Sequence, residues 1–216
     1  IVESALSGVD KPLPPGPFAP TWASIADHYT QPGWFSDAKF GVFIHWGVYS
    51  AAAHGNEWYE KHMYAGEGAS WHAQHFGPQD KVGYKDLIPL FTAKDWNPQA
   101  WARLFKAAGA KYVIPTAEHH DNFALWDSKV TPFNAVNMGP HRDLIGDLEK
   151  AVHAQGLKFG VSNHGVENFT FVNPDPAIDA KLKSEKADLY DPKWADFYHV
   201  ADRSDAAMAA FLSDWV

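Results

Sequence analysis

Residues 97 to 116, NPQAWARLFKAAGAKYVIPT, join a helix to a strand and decide the fold. Asn97 is a favourable N-cap, and Pro98 suits the first helical position. Apolar residues then recur at intervals of three and four, which predicts an amphipathic helix with one buried stripe: Trp101, Leu104, Phe105 and Ala108. Gly109 is expected to end the helix, and the apolar run from Tyr112 predicts a short buried strand.

The same order of helix and strand returns further along the chain. Residues 143 to 163, DLIGDLEKAVHAQGLKFGVSN, predict a second helix that ends at Gly156 and then another strand. The apolar stripe of this helix comprises Leu144, Ile145, Leu148 and Val152. Residues 39 to 47, KFGVFIHWG, precede both units as a first strand. A third helix begins near Ser204, with the stripe Met208, Phe211, Leu212 and Trp215.

Strands that alternate with amphipathic helices indicate a parallel sheet. We therefore predict an α/β fold, a partial (β/α)8 TIM-like barrel made of its first three β/α units and the next helix. A fourth strand is expected soon after Val216, so we expect the chain to end inside a larger fold. Eight strands commonly close such a barrel. The open edge is therefore expected to be completed by oligomerisation or by a segment outside this sequence.

The chain is predicted to have two parts of unequal size. Residues 1–33 form an extended proline-rich N-terminal arm, in which KPLPPGPFAP at 11–20 is the most restricted stretch. Residues 34–216 form the N-terminal portion of a (β/α)8-type domain. A long stretch at about 50–94, rich in Gly, His, Trp and Tyr, is expected to be irregular and functional.

The composition narrows the class of function. The formal net charge of −8 argues against a nucleic-acid partner. No apolar run is long enough for a membrane span, and the N-terminus lacks a signal-peptide pattern, which leaves the localisation open. The chain has no cysteine, so thiolate metal sites and disulfides are excluded. Its 10 Trp, 8 Tyr and 12 His suit a sugar-binding cleft, although most aromatic side chains in any protein are core.

Polar side chains follow the predicted strands where they end. The first strand ends in His45 and Trp46, the second in His119 and His120, and the third in Asn163-His164. Functional groups of β/α folds collect at the carboxyl ends of their strands. We therefore predict one polar pocket there. His119 and His120 can both line it only if the second strand ends near Ala117 and the backbone turns at Asp121-Asn122.

Two kinds of ligand compete for this pocket. His45, His119, His120 and Asp121 carry donor atoms that suit a divalent metal ion. Adjacent histidines point to opposite faces of a strand, however, and are less suited to one ion than an alternating His-x-His pair. Neutral imidazole also offers one donor and one acceptor to sugar hydroxyls. Glu57-Trp58 adds a carboxylate beside an aromatic platform, so we prefer a monosaccharide pocket.

Four stretches carry a resemblance to a known family. They are WFSDAKFGVFIHWGVYS at 34–50, NEWYEKHMY at 56–64, AGAKYVIPTAEHHDNFALWDS at 108–128 and RDLIGDLEKAVHAQGLKFGVS at 142–162. In this order they closely resemble the α-L-fucosidases of glycoside hydrolase family 29. The resemblance implies a (β/α)8-like catalytic barrel, usually followed by a β-sandwich, and retaining hydrolysis of an α-L-fucoside or fucosylated glycan.

The resemblance also implies roles for particular residues. His45, His119 and His120 match histidines that bind fucose hydroxyls, and Glu57-Trp58 matches a pair that contacts the sugar. No metal or other cofactor is expected. The nucleophile of the family is an Asp at the end of the fourth strand, and the acid/base lies further on, so both are expected beyond Val216.

One departure from the family lies at the third strand, where Asn163-His164 replaces a tyrosine-rich end. It suggests a distinct subgroup with a different strand-three contact. The leading hypothesis is a truncated α-L-fucosidase that keeps the fucose-binding residues and forms a homo-oligomer. The alternatives are a non-catalytic fucose-binding module and a metal-dependent barrel hydrolase.

Overall fold

A computed structural model describes residues 16–215, with side chains through residue 213. Its centre is a sheet of four parallel strands, in which β2 lies between β1 and β3 and also pairs with β4. The strands are β1 (Gly41–Ile44), β2 (Tyr112–Glu118), β3 (Lys158–Phe159) and β4 (Ser162–Asn163). The predicted third strand is therefore two short strands, and the register on β2 shifts between Thr116 and Glu118. The parallel α/β sheet is confirmed and is consistent with a partial barrel.

Helices surround and extend the sheet. The α-helices are α1 (Trp22–His28), α2 (Gly33–Ala38), α3 (Tyr59–His62), α4 (Gly66–His75), α5 (Pro98–Ala107), α6 (Leu144–Ala154), α7 (Asn168–Phe171), α8 (Pro176–Glu185), α9 (Ala195–Tyr198) and α10 (Asp205–Trp215). Short 3-10 helices are Val48–Ala52, Tyr84–Leu90, Gly165–Glu167, Asp188–Tyr190 and Pro192–Trp194. Within the described residues, no helix has the length and apolar character needed to cross a membrane.

The two crossover helices α5 and α6 form as their sequences predict. The Asn97 side chain accepts a 2.9 Å hydrogen bond from the Ala100 amide, and Asp143 caps α6 in the same way. Gly109 and Gly156 follow the helices with φ angles of 91° and 68°, in the left-handed region that favours glycine. Both helices therefore deliver the chain directly into β2 and β3.

One face of the sheet is covered by α5 and α6. The core there comprises Ala102, Val113, Leu148, Ala151, Val152 and Leu157. The predicted stripe of α6 is confirmed, because Leu144, Leu148 and Val152 are buried. The predicted stripe of α5 is partly wrong: Leu104 is 65% exposed, because the helix buries Pro98 and Ala102 instead.

The opposite face of the sheet is open. Phe43 is 55% exposed and Val161 is 53% exposed, although both belong to the strand region. The Tyr112 ring covers Gly41 so closely that a Cβ there would lie 2.2 Å from it. This is the face that would point into a closed barrel. Self-association across it stays a prediction.

The larger core lies under the segment expected to be irregular. Residues 50–94 in fact contain α3, α4, one complete 3-10 helix (Tyr84–Leu90) and the end of another (Val48–Ala52). Their side chains build an aromatic core with the C-terminal segment, in which the fully buried rings are Tyr59, Tyr64, Tyr84, Phe123, Phe197 and Tyr198. Burial of these large rings stabilises short helices that would be marginal in isolation.

The N-terminal arm is not extended throughout. The prediction of an extended arm over residues 1–33 is wrong for Trp22–His28, which form α1. The Thr21 hydroxyl accepts a hydrogen bond from the Ser24 amide and so caps this helix. Residues 1–15, including part of the proline-rich stretch, lie outside the described residues. The division at residue 33 stays a prediction.

The last helix, α10, begins as predicted after Ser204, whose hydroxyl accepts from the Ala207 amide. Phe211 of the predicted stripe is buried within the chain, against Phe169 and His199. The Trp215 side chain lies outside the described residues.

Candidate functional site

Three histidines, each just after the end of a parallel strand, meet at one edge of the sheet. Their ring centroids are 5.4 Å apart for His45 and His119, 5.5 Å for His45 and His164, and 5.0 Å for His119 and His164. We call these residues the histidine trio. The carboxyl ends of parallel strands share one edge, so the strand order brings them together. The histidines predicted to meet at the strand ends therefore do lie together, as a cluster of imidazoles.

His120 joins the trio because the backbone turns immediately after it. β2 ends at Glu118, one residue after the predicted end at Ala117. The Asn122 amide then donates a 3.2 Å hydrogen bond to the His119 carbonyl. Asn122 has a φ of 57°, a left-handed conformation that asparagine tolerates better than most residues. The rings of His119 and His120 consequently lie 4.2 Å apart, on one pocket.

The Glu57-Trp58 pair borders the same pocket. Trp58 is 40% exposed, and its ring centroid lies 6.2 Å from His120 and 6.0 Å from Phe171. The Lys61 ammonium sits 5.0 Å from the Trp58 ring centroid. Glu57 is half-buried. The pocket therefore has an exposed aromatic platform at its rim, beside a carboxylate.

Two of the predicted site residues are engaged elsewhere. Trp46 does not reach the histidines: its ring lies 5.1 Å from both Phe91 and Trp96 and 5.5 Å from Trp101. Strand alternation explains this, since Trp46 follows His45 and points the other way. The Asn163 side chain accepts a 2.7 Å hydrogen bond from the Gly165 amide, so it fixes the loop after β4.

The pocket keeps its central histidine neutral. Burial, together with the positive charges that His120, His164 and His45 carry when protonated, lowers the pKa of His119 to about 3. The pKa of His164 is also lowered, chiefly by burial. A neutral imidazole has one donor and one acceptor nitrogen, which suits the hydroxyl group of a ligand.

Buried carboxyl groups lie behind the histidines. Asp121 accepts a 2.6 Å hydrogen bond from the Tyr84 hydroxyl, and its pKa is raised by burial to about 6. Burial and the charge of Asp121 raise the pKa of Glu118 to about 7. Glu60 is completely buried, and neither of its carboxyl oxygens has a hydrogen-bond partner among the described residues. Burial thus raises the pKa of both acids that flank His119 and His120 in the sequence.

The trio is also the set of described side chains that could hold a metal ion. One ligand nitrogen from each of His45, His119 and His164 lies within 4.8 Å of the others. Of the four residues considered for a metal ion from the sequence, His45 and His119 belong to this set, whereas His120 and Asp121 do not.

Comparison with known proteins places this site in a family. The family model for alpha-L-fucosidase matches residues 7–214. The chain belongs to the α-L-fucosidase family. It is 42% identical to human tissue alpha-L-fucosidase over 168 residues, which are 76% of this chain and 36% of that protein. It is also 42% identical to human plasma alpha-L-fucosidase over 149 residues, which are 67% of this chain and 31% of that protein.

Solved structures agree with this assignment to the α-L-fucosidase family. The structure of Thermotoga maritima alpha-fucosidase in complex with fucose superposes with a TM-score of 0.66 at 40% identity. The match covers 84% of this chain and 47% of that one. The chain thus spans about a third of the curated α-L-fucosidases and about half of the solved one.

Two residues beside the histidines were not predicted from the sequence. The Tyr49 ring lies 5.3 Å from His119, and its buried hydroxyl has no partner among the described residues. The Phe171 ring lies 4.7 Å from His120. Tyr49 could have been found from its position close behind His45-Trp46, whereas Phe171 follows a loop whose path no local pattern predicts.

Replacing Glu60 by glutamine is expected to flatten the dependence of stability on pH. Burial, followed by the charges of Asp121 and Asp188, raises the pKa of Glu60 well above 4.5. Between pH 4.5 and that raised pKa, the folded chain holds a proton that the unfolded chain has released, so stability falls as pH rises. The free energy of unfolding of Glu60→Gln minus that of the wild type should therefore increase as pH rises from 4.5 toward that raised pKa, measured by urea denaturation.

The control for this prediction is Glu149→Gln on the exposed face of α6. It makes the same chemical change as Glu60→Gln at an exposed position. Histidines with lowered pKa values make stability rise with pH, which is opposite to the effect of Glu60. Their contribution to the free energy of unfolding cancels in the difference, because the variant and the wild type both contain them. A difference for Glu60→Gln that stays constant across this range would contradict the prediction.

Proposed function

We propose that this chain supplies the fucose-binding part of a retaining α-L-fucosidase. In this proposal the trio and His120 bind fucose hydroxyls, and the nucleophile and acid/base carboxyl groups come from sequence outside residues 1–216. The observation that carries the proposal is the convergence of His45, His119 and His164 at three strand ends, in a chain of the α-L-fucosidase family.

The chemistry of the pocket supports sugar recognition. Imidazoles at the strand ends, among them the neutral ring of His119, supply donors and acceptors for hydroxyls from several directions. Trp58 offers a half-exposed ring against which the apolar face of a pyranose can pack. Glu57 adds an acceptor-only carboxylate beside it. A few convergent polar groups around an aromatic surface are typical of small-ligand sites.

The burial of the carboxyl groups near the pocket supports a nucleophile and an acid/base that come from outside residues 1–216. A retaining glycosidase needs two carboxyl groups about 5–5.5 Å apart that flank the glycosidic bond. Asp121 is buried and hydrogen-bonded to Tyr84 and to the Phe123 amide. Glu118 is buried behind Gly165, where an added Cβ would lie 2.3 Å from its carboxyl oxygen. Neither group is free to approach a sugar.

Calorimetric titration of L-fucose into the 216-residue chain tests recognition, and a chromogenic α-L-fucoside tests catalysis. We expect weak binding of L-fucose, no comparable heat from D-fucose, and no turnover. An absence of heat at millimolar L-fucose would overturn the recognition proposal. Robust turnover by the isolated chain would instead show that a catalytic carboxylate lies within it.

Removing the aromatic platform is expected to weaken sugar binding. Trp58→Ala should lower the affinity for L-fucose about five- to tenfold, roughly 1–1.4 kcal/mol, because an aromatic contact is worth about 0.5–1.5 kcal/mol beyond its buried area. Trp22→Ala is the matched control, since Trp22 is 86% exposed on α1. Equal affinities for the two variants would place the sugar away from Trp58.

A further inference from the structure

We infer that the histidine trio is also a binding site for a divalent transition-metal ion of the Zn²⁺, Cu²⁺ or Ni²⁺ class. In this site His45, His119 and His164 each give one nitrogen, and the ion keeps at least one open position. The ion and a sugar would occupy the same space, so bound metal excludes the sugar. The exclusion of the sugar rests on the proposed function, whereas the metal site itself rests on the trio alone.

The geometry of the trio is close to what such an ion needs. Three ligand nitrogens lie within 4.8 Å of one another. Zn–N bonds of about 2.0–2.1 Å place tetrahedral nitrogens about 3.3 Å apart, so the trio must contract by up to about 1.5 Å. His45 is exposed, so its side chain is free to swing inward, while buried His119 stays fixed. Rotation of the exposed His45 side chain therefore brings its nitrogen closer to those of His119 and His164.

The environment of each imidazole supports ligation. The Nδ1 atom of His119, a side chain only 3% exposed, has no hydrogen-bond partner among the described residues. The Nε2 atom of His164 lies 2.6 Å from the Ser162 hydroxyl, which fixes the ring and leaves Nδ1 for another ligand. Metal-binding histidines are commonly held in this way through their second nitrogen.

The donor set selects the class of ion. Imidazole nitrogens suit Zn²⁺, Cu²⁺ and Ni²⁺, whereas Mg²⁺ and Ca²⁺ require oxygen ligands that the trio does not provide. His120 does not belong to the set of three mutually close nitrogens; its Nδ1 atom lies 3.0 Å from the His164 carbonyl. Three protein ligands with an open position leave room for water or another small ligand on the ion.

The test titrates Zn²⁺ into the chain without a polyhistidine tag, with Mg²⁺ as the control ion, and repeats the titration in L-fucose. We expect one Zn²⁺ per chain, no Mg²⁺ binding, and an intense visible spectrum when Co²⁺ replaces Zn²⁺. His45→Ala and His164→Ala should each weaken Zn²⁺ binding more than about hundredfold, beyond the 10–100-fold typical for loss of an orienting partner. Ser162→Ala should weaken it about tenfold.

His153→Ala is the matched control, since His153 is an exposed histidine of α6. Because His45 is exposed, His45→Ala should keep the circular dichroism spectrum of the wild type. No stoichiometric Zn²⁺ binding, or equal affinity in His45→Ala and His153→Ala, would overturn the metal site. Zn²⁺ affinity unchanged by bound L-fucose would overturn the shared site. Zn²⁺ binding without any L-fucose binding would overturn only the proposed function.

Discussion

Replacing Asp188 by alanine is expected to destabilise the chain by about 3–5 kcal/mol, the cost typical of removing one partner from a buried charged network. Asp188 is only 4% exposed and accepts hydrogen bonds from the hydroxyls of Tyr64 and Tyr198, the latter at 2.7 Å. Those hydroxyls in turn accept from the backbone amides of Tyr84 and Lys85. Alanine would leave both hydroxyls buried without an acceptor. A loss this large is a sizeable part of a typical total of about 5–15 kcal/mol.

Urea denaturation measures this effect, and two variants separate its causes. Asp188 has a φ of 46°, a left-handed conformation that asparagine adopts more readily than alanine. Asp188→Asn keeps the shape and one acceptor, so it should cost less than Asp188→Ala. Asp127→Ala removes an exposed ion pair with Lys129 and should change stability by less than about 1 kcal/mol. A cost below about 1 kcal/mol for Asp188→Ala would show that the tyrosines find other partners.

Replacing His45 and His119 together by alanine is expected to lower the affinity for L-fucose at least about hundredfold. Each neutral hydrogen bond contributes about 0.5–1.5 kcal/mol, and each imidazole is proposed to make one or two of them. A loss of 1.4 kcal/mol is a tenfold loss of affinity, so each single variant should bind L-fucose about tenfold more weakly. In the double variant the two losses should multiply. Calorimetric titration of the three variants measures these losses.

His153→Ala again serves as the control for the loss of a histidine. Because His119 is buried, its removal also leaves a cavity. The His45→Ala variant separates recognition from stability, since His45 is exposed. Undiminished L-fucose binding by the double variant would remove the trio from the sugar site.

The crossover units were predictable because local rules and packing agree in them. Asn97, Gly109 and Gly156 mark the ends of α5 and α6, and the strands follow within a few residues. The helices of residues 50–94 were not predictable from periodicity. They are short, and they are stabilised by rings such as Tyr198 that lie far away in sequence. The exposure of Leu104 likewise depends on which face of α5 meets the sheet.

The candidate site was partly predictable for a similar reason. Strand ends identified His45, His119 and His164, because topology alone brings such positions together. Trp46 was assigned to the pocket although alternation along the strand sends it to the other side, against Trp96. Phe171 was missed, because its approach to His120 depends on a long loop. Prediction was thus best where backbone geometry decides the neighbours.

The tyrosine–Asp188 network has a consequence for how the molecule assembles during synthesis. The hydrogen bond between Tyr64 and Asp188 joins residues 124 positions apart, and Asn122, at the turn after the histidines, donates to the carbonyl of Phe197. Neither bond can form until the segment around Tyr198 has left the ribosome. Contacts so distant in sequence form slowly. The side-chain bond that anchors this turn at Asn122 therefore forms only after all four strands have been synthesised.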